Sequence, residues 1–197
     1  MNELYKFIVE GGDHGQAGID GDAFWLRANA RTDWFFKPDG SGRSDNIVRL
    51  VRSMDQPVFA LRAKVSAAFV ATYDAGALFI QSDDQHWGKL AFERSASGEP
   101  TIVSVVTRGT SDDADGPVNL GDHVWLRLYC DGRVVAFHHS LDGEAWRFSR
   151  LFTLPNIGAR PIRIGFGVQS PTGNGTTAIF SDVEVTYDAI SDMRDGS

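Results

Sequence analysis

Residues 73–107 read YDAGALFIQSDDQHWGKLAFERSASGEPTIVSVVT, three β-rich runs separated by short polar links. In the middle run Leu90 and Phe92 share one side of an extended chain, and Trp87, Lys89, Ala91 and Glu93 share the other. The division follows from strand geometry, in which alternate side chains point to opposite faces. A strand that is aliphatic on one side and carries an aromatic and two charges on the other calls for a sheet with one buried face and one working face.

The same habit runs through the chain. Strand-like runs fall near 4–9, 23–29, 46–53, 57–66, 75–81, 86–94, 101–107, 123–130, 133–140, 146–152, 161–169 and 177–187. Only 46–53, with Ile47, Leu50 and Val51, also has helix-compatible spacing and is open to either reading. Asp-Gly recurs at 20–21, 39–40, 115–116, 131–132, 142–143 and 195–196, a pairing that favours the positive backbone angles of tight turns. Asp131 and Gly132, set between HVWLRLYC and RVVAFHHS, give the clearest hairpin. About a dozen short strands without interleaved helices predict an all-β antiparallel sandwich. No repeat or composition shift divides the 197 residues, so one domain is expected over 1–197, with its core at 4–187 and a frayed tail at 188–197.

Other strands repeat the two-faced pattern. In VWLRLYC, Val124, Leu126, Leu128 and Cys130 share a face opposite Trp125, Arg127 and Tyr129. In IRIGFGVQ, Ile162, Ile164, Phe166 and Val168 point inward, leaving Arg163, Gly165, Gly167 and Gln169 outward, where the glycines would keep the surface low. In TIVSVVTR either face suits burial, which leaves Ser104 and Arg108 as conditional members of the outward set. Flat aromatics among hydrogen-bonding charges suit sugar rings, since the ring covers a C–H face while charged groups satisfy hydroxyls. A solvated sheet face held by cross-strand cation–aromatic pairs has the same composition, so both readings stand.

Several function classes are disfavoured. A net charge of −7 argues against nucleic acid and anionic membranes as partners. No run approaches the roughly 20 apolar residues of a membrane helix, and the start MNELYKFIVEGGDHG lacks the pattern of a secretory leader, so a cytoplasmic setting is expected. Cys130 is the only cysteine and belongs to an inward set, as an inert core thiol. Asp112, Asp113 and Asp115 precede a glycine but lack the later Glu of a calcium loop, so SDDADGP reads as an acidic solvated loop. The histidines have no zinc-like spacing, and neither a G-x-S-x-G turn nor a P-loop is present. No cofactor, metal or catalytic residue is assigned, and the oligomeric state is left open.

The blocks TDWFFKPDG at 32–40, YDAGALF at 73–79, WGKLAFE at 87–93, SVVT at 104–107 and SLDGEAW at 140–146 follow one recurring pattern. It resembles a domain-of-unknown-function family of the concanavalin A-like lectin/glucanase superfamily, which includes the yeast protein named as a regulator of enolase. The resemblance spans roughly residues 20–187. It implies a jelly-roll sandwich of two curved antiparallel sheets whose concave face is the sugar site in many relatives. It would set Trp87, Lys89 and Glu93 on or near that face, and Asp33, Trp34, Tyr73 and Asp74 at its rim or at strand starts.

The expected ligand-binding set is therefore Trp34, Asp74, Trp87, Lys89, Glu93, Arg108, Trp125, Arg127, Tyr129 and Gln169, serving a non-catalytic module for a carbohydrate-like or protein ligand. Glycosidases need two carboxyl groups flanking the scissile bond. Glu93 has no carboxylate two positions away, so an enzyme would need a second acid from another strand. Cross-strand pairing of Glu93 with Arg127 or Arg108 is expected. A second alternative, implied by the resemblance, is a regulatory partner of a metabolic enzyme.

Overall fold

The computed structural model describes residues 3–119, 121–158 and 161–197. It is a β-sandwich of the concanavalin A-like jelly-roll type, made of two seven-stranded antiparallel sheets and a two-stranded ribbon. The front sheet runs β1 (Ile8–Glu10), β6 (Val48–Met54), β15 (Ile162–Gln169), β8 (Ala75–Asp83), β9 (His86–Arg94), β10 (Pro100–Arg108), β11 (Thr110–Val118). The back sheet runs β14 (Arg147–Phe152), β13 (Val135–Ser140), β12 (Val124–Asp131), β7 (Val58–Ala67), β16 (Thr177–Thr186), β3 (Ala23–Ala28), β2 (Gly15–Asp20). The ribbon pairs β4 (Trp34–Phe36) with β5 (Arg43–Asp45). Among the described residues no helix is long and apolar enough to cross a membrane.

The alternation read from the sequence decides what lies between the sheets. Leu78, Leu90, Phe92, Ile164 and Phe166 of the front sheet meet Phe59, Leu61, Leu126, Leu128, Phe137 and Phe180 of the back sheet in one buried cluster. Cys130 lies in the same cluster, and burial pushes its thiol up to about 11, away from thiolate chemistry.

The outer face of the front sheet is not left to solvent. Trp87, Phe79, Val51, Val103 and Val105 form a second cluster there with Trp34 and Phe36 of the ribbon. The front sheet is thus covered on both faces in its middle, and β8, β9 and β10 are buried almost throughout.

Five of the six Asp-Gly pairs carry a glycine with positive φ, as tight turns require. At the β12–β13 turn Gly132 has φ 88°, and the Asp131 carboxylate accepts the N–H groups of Arg133 and Val134 at 2.8 and 2.7 Å. The exception is Asp115 and Gly116, which lie inside β11.

That strand corrects one reading of the sequence. The stretch 111–117, taken as a solvated loop, is paired in register with β10, with Asp113 opposite Val105 and Asp115 opposite Val103. Its composition hid it, because acidic residues, Gly and Pro are depleted in strands yet are also how natural proteins blunt a sheet edge. Residues 48–54 form a strand rather than a short helix, and β2, β4 and β5 were not anticipated. At the start, 3–6 make a 3-10 turn and only 8–10 a strand.

The tail is not frayed either. It docks on the outer face of the back sheet, where Arg127 donates to the Gly196 carbonyl at 2.6 Å and His138 meets the Met193 carbonyl at 2.7 Å.

Gly165 reaches its place by close approach, not by turn geometry. A Cβ built there would lie 1.8 Å from the Leu50 carbonyl oxygen and 3.0 Å from the Phe79 ring. Gly165→Ala therefore cannot be accommodated without parting β15 from β6. We expect it to lower the thermal midpoint by about 5 °C or more, at the roughly 2–4 °C per kcal/mol of domains this size, or to prevent folding. A variant whose midpoint matches the parent would refute this close approach.

Candidate functional site

Along β9 the outward side chains Trp87, Lys89 and Glu93 stand in a row, and each has a different fate. Trp87 is fully buried, stacked on Trp34 with ring centroids 4.2 Å apart and planes 24° apart, with Phe36 set edge-on at 5.6 Å. The Arg49 guanidinium covers Trp34 from 4.8 Å. Neither indole offers a free face to a ligand, so Trp34 and Trp87 do not form the aromatic platform expected of them.

Lys89 is buried beneath the ribbon. Its Nζ donates to the Trp34 carbonyl and to Gln169 Oε1, both at 2.7 Å. Lysine can only donate, which fixes the Gln169 amide with its oxygen toward Lys89. The amide nitrogen then faces the other way, donating to the Tyr73 carbonyl at 3.2 Å and to Glu93 Oε2 at 3.4 Å. A relay runs from Trp34 through Lys89 and Gln169 to Glu93.

Burial sets the protonation of both ends. It pushes Glu93 up from 4.5 to about 8, against the attraction of Lys89, while Asp33, Asp115 and Asp113 raise it further. Burial lowers Lys89, which Asp33, Glu93 and Asp113 oppose. Asp33 is also raised by burial, with Lys89 and the Trp34 N–H acting against it. At neutral pH Glu93 keeps its proton, and its hydroxyl can donate.

These groups open onto a cleft of about 370 Å³ between the ribbon and the outer edge of the front sheet. Lys89, Glu93, Gln169, Val103 and Val105 line it together with Asp33, Phe35, Tyr73, Asp113 and Asp115. The volume falls within the roughly 300–1,000 Å³ range of small-ligand sites. Among the described residues no group of three or more metal-ligating side chains is present.

Of the ten residues singled out in the sequence, the structure brings only Lys89, Glu93 and Gln169 into this cleft. Asp74 is fully buried, and its carboxylate is used in holding the 70–74 turn. It accepts from Ser170 Oγ at 2.6 Å and from the N–H groups of Val70 and Ala71 at 3.0 and 2.7 Å.

Arg108 shares the parity of Ile102 and Val106, whose side chains enter the core, so it does not join the outward set. It reaches the Thr153 carbonyl at 2.8 Å instead. Trp125, Arg127 and Tyr129 face outward from the back sheet, on the far side of the sandwich. There Lys64 lies over Trp125 at 4.9 Å and Arg127 over Trp146 at 4.3 Å. Glu93 pairs with neither Arg127 nor Arg108; its hydrogen bond comes from Gln169.

Seven lining residues were missed or left unassigned by the sequence reading, Ala96 and Pro171 among them, both in links between strands. Val103 and Val105 were ambiguous because both faces of β10 are apolar. Asp113 and Asp115 were lost with β11, and Phe35 with the ribbon.

The family model described as "Protein of unknown function (DUF1349)" matches residues 16–187. The chain belongs to that family. In three dimensions it is similar to a functionally unknown protein from Saccharomyces cerevisiae, with a TM-score of 0.85 and 22% identity over 95% of this chain and 99% of that one.

It is also similar to the GH43 BlXynB protein from Bacillus licheniformis, with a TM-score of 0.66 and 13% identity. That match covers 89% of this chain but 39% of the other. The alginate lyase from Klebsiella pneumoniae gives a TM-score of 0.53 and 12% identity over 85% and 82% of the two chains. At these identities the likeness is one of fold. No curated protein matches by sequence.

The raised Glu93 carboxyl has a consequence for stability. Between its unfolded value of 4.5 and its folded value of about 8 the native state holds a proton that the unfolded chain has lost. Stability therefore falls as pH rises through that window and levels off above it. Glu93→Gln, which keeps the shape of the protonated acid, should be more stable than the parent at neutral pH. The gap should be near zero at pH 4, widen by at most about 1.4 kcal/mol per pH unit, and flatten above pH 8. Urea unfolding from pH 4 to 9 measures it, and a gap independent of pH would contradict the assignment.

Proposed function

We propose that the protein is a binding module for a small polyhydroxylated ligand of the carbohydrate class, taken into the cleft on the outer face of the front sheet. The observation that carries this reading is the floor of the cleft. There an amide, an ammonium and a protonated carboxyl are held by one another and open onto a space walled by Phe35 and Tyr73. Hydroxyl groups both donate and accept, and this floor offers both, while the two rings supply apolar surface for sugar C–H faces. Several structural neighbours carry carbohydrate-active names, which agrees with the reading as a fold-level analogy.

A second reading rests on Glu93 itself. A carboxyl that keeps its proton at neutral pH, in a cleft shared with Asp33, has the protonation state of a glycosidic general acid. Asp33 would then be the second acid, from the loop before β4. Hydrolysis of aryl glycosides by the parent and its loss in Glu93→Gln would favour this enzyme over the binding module. The regulatory protein-partner alternative rests on the resemblance alone.

The binding reading is tested on a glycan array followed by calorimetry on the best ligand. The parent should bind, and Tyr73→Ala, which trims a partly exposed wall residue, should weaken binding by about tenfold, the scale of one aromatic contact. A parent that binds no glycan, or a variant that binds as well as the parent, would refute the site.

A further inference from the structure

Four carboxyl side chains line the cleft against one ammonium: Asp33, Glu93, Asp113 and Asp115 against Lys89. The ammonium is committed inward, to the Trp34 carbonyl and the Gln169 amide oxygen. Register places the two β11 acids. Asp113 and Asp115 stand opposite Val105 and Val103, so they project to the cleft side with those valines. Asp112, the residue before Asp113, stands opposite Val106, faces the other way and is engaged by Arg150 at 3.1 Å. Asp113 and Asp115 form no ion pair among the described residues.

An acidic edge alone would be only a solubilising device, but Glu93 provides a separate observation. Its side chain is more than nine-tenths buried, it lines the cavity, and its one hydrogen bond among the described residues is a long 3.4 Å contact from the Gln169 amide. A buried carboxyl with so little donated to it has acceptor capacity to spare for a donor inside the cleft, most of all once its proton leaves.

We infer that the cleft is selective for a polyhydroxylated ligand bearing an amine, whose ammonium is received by Glu93 with Asp113 and Asp115 at the open edge. This rests on the sugar-binding reading above and adds a charge to the ligand. A uronic acid or sulfated sugar would meet four carboxyls at once. A neutral sugar would use the relay but leave the acids without a counter-charge. An ammonium supplies both the missing donor and the charge. Its arrival also displaces the proton from Glu93, because a cation in contact favours the ionised carboxylate. Proton release on binding is therefore a signature that a neutral sugar would not give.

The test compares three trimers on one β-1,4-linked glucan backbone: the glucosamine trimer, cellotriose and the uronic acid trimer. Isothermal titration at pH 6, where the sugar amine is charged, is run in two buffers of different ionisation enthalpy. The glucosamine trimer should bind at least about tenfold more tightly than cellotriose, equivalent to roughly 1.4 kcal/mol, with the uronic acid trimer weakest. The heat for the glucosamine trimer should depend on the buffer in the sense of proton release, and Glu93→Gln should abolish that dependence.

The double variant Asp113→Asn, Asp115→Asn, made at solvent-exposed positions that need not disturb the fold, should compress the preference to about threefold or less. Cellotriose or the uronic acid trimer binding as tightly as the glucosamine trimer would overturn the inference and leave sugar binding standing. Binding of the glucosamine trimer without proton release would also overturn it. If none of the three binds, the inference and the reading beneath it both fall.

Discussion

The stack of Trp34 on Trp87 is the contact on which the outer half of this molecule depends. It pins a two-stranded ribbon across a sheet face that would otherwise be open, and the seal is reinforced by polar contacts. The Trp34 carbonyl accepts from Lys89, and the Phe36 N–H reaches Ser111 Oγ at 2.9 Å, which is itself 2.7 Å from Thr107 Oγ1. One aromatic pair thus joins the ribbon to β9, while the serine joins it to β10 and β11. Among the described residues the Trp87 indole nitrogen has no hydrogen-bond partner, a cost set against the apolar contact the rings gain.

The electrostatics of the cleft follow from that seal. Had the ribbon been absent, Lys89 and Glu93 would stand on a solvated face with ordinary protonation, and the relay through Gln169 would compete with water. Under the ribbon, desolvation acts on both groups in opposite directions, favouring neutral carboxyl and neutral amine. The Trp34 carbonyl and Gln169 amide partly compensate Lys89, whereas Glu93 receives one long contact. The imbalance leaves Glu93 as the group most responsive to whatever enters.

Much of the fold was legible because strand alternation and Asp-Gly turns are local signals. Leu90 with Phe92, Leu126 with Leu128 and Ile164 with Phe166 were placed inside by parity alone, and the structure buries them all. What parity cannot supply is which sheet a strand joins. Trp125 and Arg127 repeat the pattern of Trp87 and Lys89, yet β12 sits in the other sheet, so the same outward pattern ends on the opposite side of the sandwich. Nor does alternation reveal cover. Trp34 and Trp87 read as a sugar platform because exposed and sealed aromatic faces have the same sequence, and the ribbon that seals them is only two three-residue strands.

The division of labour in the cleft has a physical reason. The titratable Lys89 and Glu93, and the Gln169 amide that bridges them, stand on interior strands where neighbours on both sides fix their geometry. The groups that wall the cleft come from less constrained places: Tyr73 from a turn held by Asp74, Phe35 from the ribbon, Asp113 and Asp115 from an edge strand. Changes to such walls cost little core packing, whereas any change to the floor disturbs a buried polar network. In the proposed binding role, charge on the β11 edge can therefore be changed at less structural cost than the floor.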